Sequence, residues 1–253
     1  MASANFRFKQ FTVWHDRCAM KVGTDGVLLG AWCPIAIDSL QSPINNQQQR
    51  KFRVLDIGTG SGLIAMMVAQ RATTIDNITT LIDTIDIDAG AAEQATFNFE
   101  QSPWSKLLRI YQSSLQEWQS EKEYDLIVSN PPYFQSSLKN PDAQRATARH
   151  TDSLSYSELI KHSGRLLKDN GMLALVLPIE AEEEILSLAA AAGLSPIAIT
   201  YVHTKPGKPV KRILMALTKG DADGEVDGNH FYIESADSPR SEEYKKLTED
   251  FYL

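Results

Sequence analysis

The chain is predicted to fold as an α/β protein, a mostly parallel seven-stranded sheet with helices on both faces. Three observations carry this. Beyond residue 50, short β-branched runs alternate with amphipathic stretches. The runs are apolar throughout rather than alternating, as strands buried on both faces require. The first of them stops at a glycine-rich turn that opens a helix.

Taken in order, residues 53–57 read as a buried strand and 61–71 as the helix that follows. Residues 80–87 form a second strand and 89–101 a second helix, with further strands at 107–111 and 124–129. A helix over 156–167 precedes the very apolar strand 171–177, and a helix over 180–192 precedes the strand 194–203. The last strand, 211–219, follows with no helix between, which fits an antiparallel strand at the end of an otherwise parallel sheet. Residues 1–34 form an extension: a short hairpin containing Phe and Val, then a helix beginning near Thr24-Asp25, an N-cap pair. Residues 51–253 form the main domain. Residues 38–50 and 220–229 read as polar loops.

Composition excludes several classes. With 43% hydrophobic and 23% charged residues, the 253-residue chain is ordinary for a globular enzyme. Its longest apolar run, 172–178, is far short of the roughly 20 residues that cross a bilayer. Residues 1–11 lack the apolar core of a secretory signal. Cys18 and Cys33 suit a reducing compartment and cannot cage a metal alone, so a cytoplasmic protein without a metal is expected. The net charge of -7 is local: residues 221–250 carry ten acids against Arg240, Lys245 and Lys246, which leaves the rest neutral. A phosphate backbone responds to a local patch, so this sum does not exclude nucleic acid.

The glycine turn reads Asp56-Ile57-Gly58-Thr59-Gly60-Ser61-Gly62-Leu63. A dinucleotide fingerprint places glycines at the first, third and sixth positions; here the third glycine is fifth and Leu63 is sixth. Asp56 would repel a pyrophosphate but attract an ammonium group. Both features point to S-adenosylmethionine, whose amino-acid end carries both charges. The second strand ends in Ile85-Asp86-Ile87-Asp88, where Asp86 is placed to accept ribose hydroxyls and Asp88 to cap the next helix.

The strand 124–129 stops at Asn130-Pro131-Pro132-Tyr133-Phe134. The lone pair of an exocyclic amine is delocalised into its ring, so the amine is a poor nucleophile. The Asn130 side-chain oxygen and the Pro131 carbonyl offer two acceptors for its two N–H groups, directing the lone pair at a sulfonium methyl. Pro132 stiffens the turn, and Tyr133 offers a face for the target ring, with Phe134 behind it. The same loop suits a glutamine side-chain amide or a ribosomal guanine amine, and a catalytically silent cofactor-binding module is the non-enzyme alternative.

These residues resemble the Rossmann-like class I methyltransferases with an Asn-Pro-Pro-Tyr active site. The blocks Phe6-Arg7-Phe8-Lys9-Gln10-Phe11, Met20-Lys21-Val22-Gly23-Thr24-Asp25-Gly26-Val27-Leu28-Leu29-Gly30-Ala31-Trp32 and Arg149-His150 resemble the YfiC-type family. That resemblance implies methylation of N6 of adenine-37, beside the anticodon of tRNA1(Val). It also implies that Lys21, Thr24 and Asp25 close over the methionine end of the cofactor. Where the family often carries an acid near the cofactor adenine, this chain has Ser113-Ser114, leaving that contact to Ser114 or the Leu115 N–H. Two loops are basic: Lys139, Arg145 and Arg149 in one, Lys205, Lys208, Lys211 and Arg212 in the other. They are the expected contacts to the anticodon arm of a tRNA.

Overall fold

A computed structural model describes residues 4–18, 20–35, 50–132, 154–222, 226 and 228–253. Strands β1 (Asn5–Arg7) and β2 (Thr12–Trp14) pair as an antiparallel hairpin and lead into α1 (Thr24–Trp32). The main sheet takes β3 (Arg50–Ile57), β4 (Ile78–Asp86), β5 (Leu108–Gln112), β6 (Tyr124–Ser129) and β7 (Leu167–Pro178). β8 (Leu194–His203), β9 (Val210–Lys219) and β10 (Asn229–Tyr232) complete it in the order β10-β8-β9-β7-β6-β3-β4-β5. Its helices are α2 (Leu63–Ala72), α3 (Ala89–Glu100), α4 (Tyr156–Leu166), α5 (Glu182–Ala191) and α6 (Glu242–Thr248).

The α/β class and the parallel core are as expected. β9 runs antiparallel to both neighbours, β7 and β8. The expected seven strands gain an eighth, because β10 pairs in parallel with β8 at the sheet edge. The polar loop expected at 38–50 lies outside the described residues except for Arg50, which opens β3.

Two apolar clusters lie on opposite faces of the sheet. One joins Val54, Leu126 and Val176 to α1, α2 and the hairpin residues Phe8, Phe11 and Val13. The other joins Leu55, Ile127 and Leu175 to α4 and α5. Adjacent β3 residues thus point to opposite clusters, which is why both faces of the strand read as apolar.

Helix α1 packs tightly on α2 because Gly26 and Gly30 share one face. A Cβ at Gly30 would lie 2.7 Å from Met67 Sδ, and one at Gly26 would lie 3.2 Å from Leu63 Cδ2. With no basic residue in its own last turn, α1 is closed by Arg71 of α2, which donates to the Gly30 and Cys33 carbonyls at 3.0 and 2.8 Å. The N-cap of α1 is Gly23, with no side-chain cap bond, so Thr24-Asp25 is not the cap pair. Both residues lie inside the first turn. Asp88 does cap α3, accepting from the Ala91 N–H at 2.7 Å.

Candidate active site

The register of three parallel strands gathers the site. Ile57 stands opposite both Ser129 and Ile85, so Gly58, Asn130 and Asp86 leave the carboxyl edge of β3, β6 and β4 side by side. The Ser129 hydroxyl donates to the Ile57 carbonyl at 2.9 Å, locking the two strand ends together. This edge is where an open parallel sheet presents its ligand crevice.

Gly58, Gly60 and Gly62 all have left-handed φ, at 68°, 55° and 79°. Their roles differ. A Cβ on Gly58 or Gly60 would meet nothing within 4 Å, so those two leave backbone open for a ligand. A Cβ on Gly62 would fall 2.3 Å from Phe99 Cε1, so this glycine serves the packing of α2 on α3.

Asp56 is fully buried at the end of β3. Its Oδ2 accepts the Thr59 hydroxyl at 2.7 Å, and its Oδ1 has no hydrogen-bond partner among the described residues. Burial pushes its carboxyl up to about 7; the Thr59 hydroxyl and the Ala65 backbone counter the rise, and Asp86 adds to it. A buried carboxylate with one idle oxygen beside an open glycine turn fits a group bearing an ammonium.

Asp86 is half-buried, and desolvation raises its carboxyl above the usual range. Its Oδ2 accepts the Gly60 N–H at 2.8 Å and its Oδ1 the Asp88 N–H at 2.9 Å. Each oxygen keeps a lone pair, so the side chain is held in place with capacity for two hydroxyls. Ile87, next in sequence, exposes half of its surface. The Ser114 hydroxyl donates to Glu117 Oε2 at 3.1 Å. Leu115 is buried.

Asn130 is half-buried, Pro131 buried and Pro132 exposed. Tyr133, Phe134, Lys139, Arg145 and the Arg149-His150 pair lie outside the described residues. Lys21 and Thr24 are exposed. Asp25 and Arg212, expected to serve cofactor and RNA separately, meet each other: Arg212 Nε donates to Asp25 Oδ2 at 3.0 Å. Lys205, Lys208 and Lys211 are exposed around the β8–β9 turn at the same sheet edge. That turn is pinned by His203, whose Nδ1 donates to the Lys208 carbonyl at 2.7 Å.

Two residues that support the site were not visible from pattern. Asn98 and Gln94, one turn apart on α3, are buried and bond the N-terminal segment. Asn98 joins Trp14 to the Ser61 carbonyl, and Gln94 Oε1 accepts the Arg17 N–H at 3.1 Å. Their i, i+4 spacing among alanines is the one signal of a shared face.

Among the described residues there is no group of three His, Cys, Asp or Glu placed to hold a metal. Nor is any described helix long and apolar enough to cross a membrane.

Residues 38–187 match the family described as the methyltransferase small domain. A tRNA1(Val) (adenine(37)-N6)-methyltransferase of Parabacteroides distasonis is 45% identical, the match covering 100% of this chain and 99% of the relative. One of Aeromonas salmonicida is 43% identical over 99% of this chain and 98% of its own. A solved structure of a predicted O-methyltransferase from Agrobacterium tumefaciens superposes with a TM-score of 0.64 at 16% identity, covering 90% of this chain and 96% of the other. A Listeria monocytogenes structure, provisionally assigned to the class I S-adenosylmethionine-dependent methyltransferases, gives 0.56 at 13% identity, covering 90% and 71%. These two likenesses concern the fold. With relatives this similar over their full length, the chain belongs to the tRNA1(Val) (adenine(37)-N6)-methyltransferase family.

Proposed function

We propose that this protein transfers a methyl group from S-adenosylmethionine to N6 of an adenine, adenine-37 beside the anticodon of tRNA1(Val). The observation that supports the reading is the side-by-side exit of Gly58 and Asn130 from β3 and β6, which brings an open glycine turn beside the Asn130-Pro131 turn. When bound, the cofactor supplies an electrophilic sulfonium methyl.

The residues of the chain have separable tasks. Asp56 offers its idle oxygen to the ammonium end of the cofactor, and Asp86 receives the ribose hydroxyls. Ile87 and Leu115, with its N–H, flank the adenine side of the cofactor; Ser114 holds the intervening turn through Glu117. The Asn130 side chain and the Pro131 carbonyl each accept one N–H of the target amine. They orient its lone pair and carry the developing positive charge until a proton leaves. Tyr133 stacks on the target ring once the base has left its own stack. Lys21, Thr24 and Asp25 close residues 1–34 over the glycine turn, and Lys205, Lys208 and Lys211 meet phosphates of the anticodon arm, as do Lys139, Arg145 and Arg149.

The test incubates the protein with labelled S-adenosylmethionine and unmodified total tRNA, then identifies the modified nucleoside by mass spectrometry. N6-methyladenosine in a valine tRNA, lost in Asn130→Ala, is the expected result. Label in protein glutamine, in ribosomal guanine, or nowhere would overturn it.

A further inference from the structure

The hairpin and the C-terminal segment enclose a groove of about 680 Å3 that includes none of the residues assigned above. That volume lies within the range of ligand pockets, roughly 300–1,000 Å3. One wall is aromatic. Phe6 is exposed at its rim, its ring 5.8 Å from Tyr252 in an edge arrangement. Tyr252 in turn stacks on Phe8 and Tyr244 behind it.

The other walls are cationic. Arg7, Lys9, Arg240 and Lys245 line the groove, with Glu249 as the lining carboxylate. This is opposite to what the C-terminal sequence suggests. Residues 221–250 hold ten acids and three cations, yet two of those cations line the groove and, among the described residues, one of the acids does. The Lys9 ammonium donates to the Glu249 backbone carbonyl, a neutral acceptor. The Arg240 guanidinium lies over the Tyr244 ring, 4.6 Å from its centroid. Lys245 pairs with Glu242 at 2.6 Å, but both are exposed and that pair is weak in salt solution.

The segment that leads into the groove is tied by backbone hydrogen bonds to the lysine-bearing turn. The Ile233 and Glu234 N–H groups bond the His203 and Thr204 carbonyls, and the Ser241 N–H bonds Ile233. Arg240 therefore stands next to the chain that lines the β8–β9 turn at the carboxyl edge. Aromatic faces interleaved with cations match single-stranded nucleic acid: bases stack and phosphates pair.

We propose that this groove receives a single-stranded stretch of the RNA substrate, one base stacking at Phe6 and Tyr252 and the flanking phosphates meeting Arg7, Arg240 and Lys245. The inference rests on the reading of the chain as an RNA methyltransferase, and the test separates the two. Steady-state methylation of tRNA is compared between the full-length protein and an Arg7→Glu/Lys245→Glu variant at several salt concentrations. Cofactor affinity serves as the folding control. The KM for tRNA should rise about tenfold and the salt dependence of binding should flatten, with kcat and cofactor affinity unchanged. In the unmodified protein, tRNA carrying 4-thiouridine should cross-link on irradiation to peptides containing Phe6 or Tyr252. That arm decides the matter even if the variant fails to fold.

An unchanged KM and salt slope, or cross-links confined to residues outside 4–9 and 240–253, would overturn the groove while leaving RNA methylation intact. No label in RNA from the unmodified protein would overturn the underlying reading instead. Binding of phosphatidylserine vesicles that Arg7→Glu/Lys245→Glu abolishes, with tRNA kinetics unaffected, would also overturn the proposal.

Discussion

Asn98 grips Trp14 from both sides: its Oδ1 accepts the Trp14 N–H at 3.0 Å, and its Nδ2 donates to the Trp14 carbonyl at 2.8 Å. The same amide nitrogen donates to the Ser61 carbonyl at 2.8 Å, so one buried side chain ties the hairpin to the glycine turn. Asn98→Ala leaves three backbone groups without this partner and should cost about 2–3 kcal/mol. Denaturant melts should show that loss, and titration calorimetry should show weaker cofactor binding.

Asp56 sets a pH dependence. Its pKa is raised to about 7 in the folded chain, so folding takes up a proton there. The stability it contributes is full below its unfolded pKa near 4 and is lost as pH rises to about 7, above which it levels off. Asp56→Asn should flatten that slope in the cofactor-free protein. An ammonium group placed at Oδ1 favours the carboxylate, so cofactor binding near pH 7 should release protons. Calorimetry in buffers of different ionisation enthalpy reads that release directly, and Asp56→Asn should remove it.

Gly62 and Gly60 of the turn should fail differently. Gly62→Ala combines a left-handed φ with a clash against Phe99, and should cost about 2–4 kcal/mol of stability. Gly60→Ala carries only the backbone strain, about 1 kcal/mol, and should chiefly weaken cofactor affinity. Thermal melts and cofactor titrations on the two variants separate these outcomes.

Asn130→Ala should lower kcat about 10²–10³-fold, the usual loss of one aligned polar partner in a transition state. Rapid-quench single-turnover assays isolate the chemical step.

Reversing Lys205, Lys208 and Lys211 to Glu should weaken tRNA binding and flatten its salt dependence while the cofactor still binds. Fluorescence anisotropy with labelled tRNA provides the comparison. Unchanged affinity would remove the β8–β9 turn from the RNA surface.

What the sequence discloses and what it hides divide along the range of the forces involved. The apolar strands and the glycine turn are legible because their periodicity and residue types are set by burial and backbone conformation at the positions themselves. Asp88 as a cap is legible for the same reason, the bond to Ala91 spanning three residues. Thr24-Asp25 misleads because the side chain of Asp25 is claimed by Arg212, 187 positions away, while Gly23 takes the cap position. β10 is four residues long in an acidic stretch and exists through its pairing with β8. Gly62 is legible as part of a turn, but its steric duty toward Phe99 is not.

The Lys9 N–H bonds the Phe251 carbonyl, and Phe8 stacks on Tyr252, so the hairpin that Asn98 ties to the glycine turn rests also on residues some 240 positions later. Translation therefore builds this protein in an order that withholds part of the hairpin's seat. Every strand of the sheet leaves the ribosome before the hairpin has its final seat, and a nascent chain stalled within α6 holds the hairpin through Asn98 of α3 but not yet through Phe251 and Tyr252. Chains cut just short of residue 251 by a protease or a premature stop would keep the sheet and loosen the hairpin, a defect at one end of the gene expressed at the other.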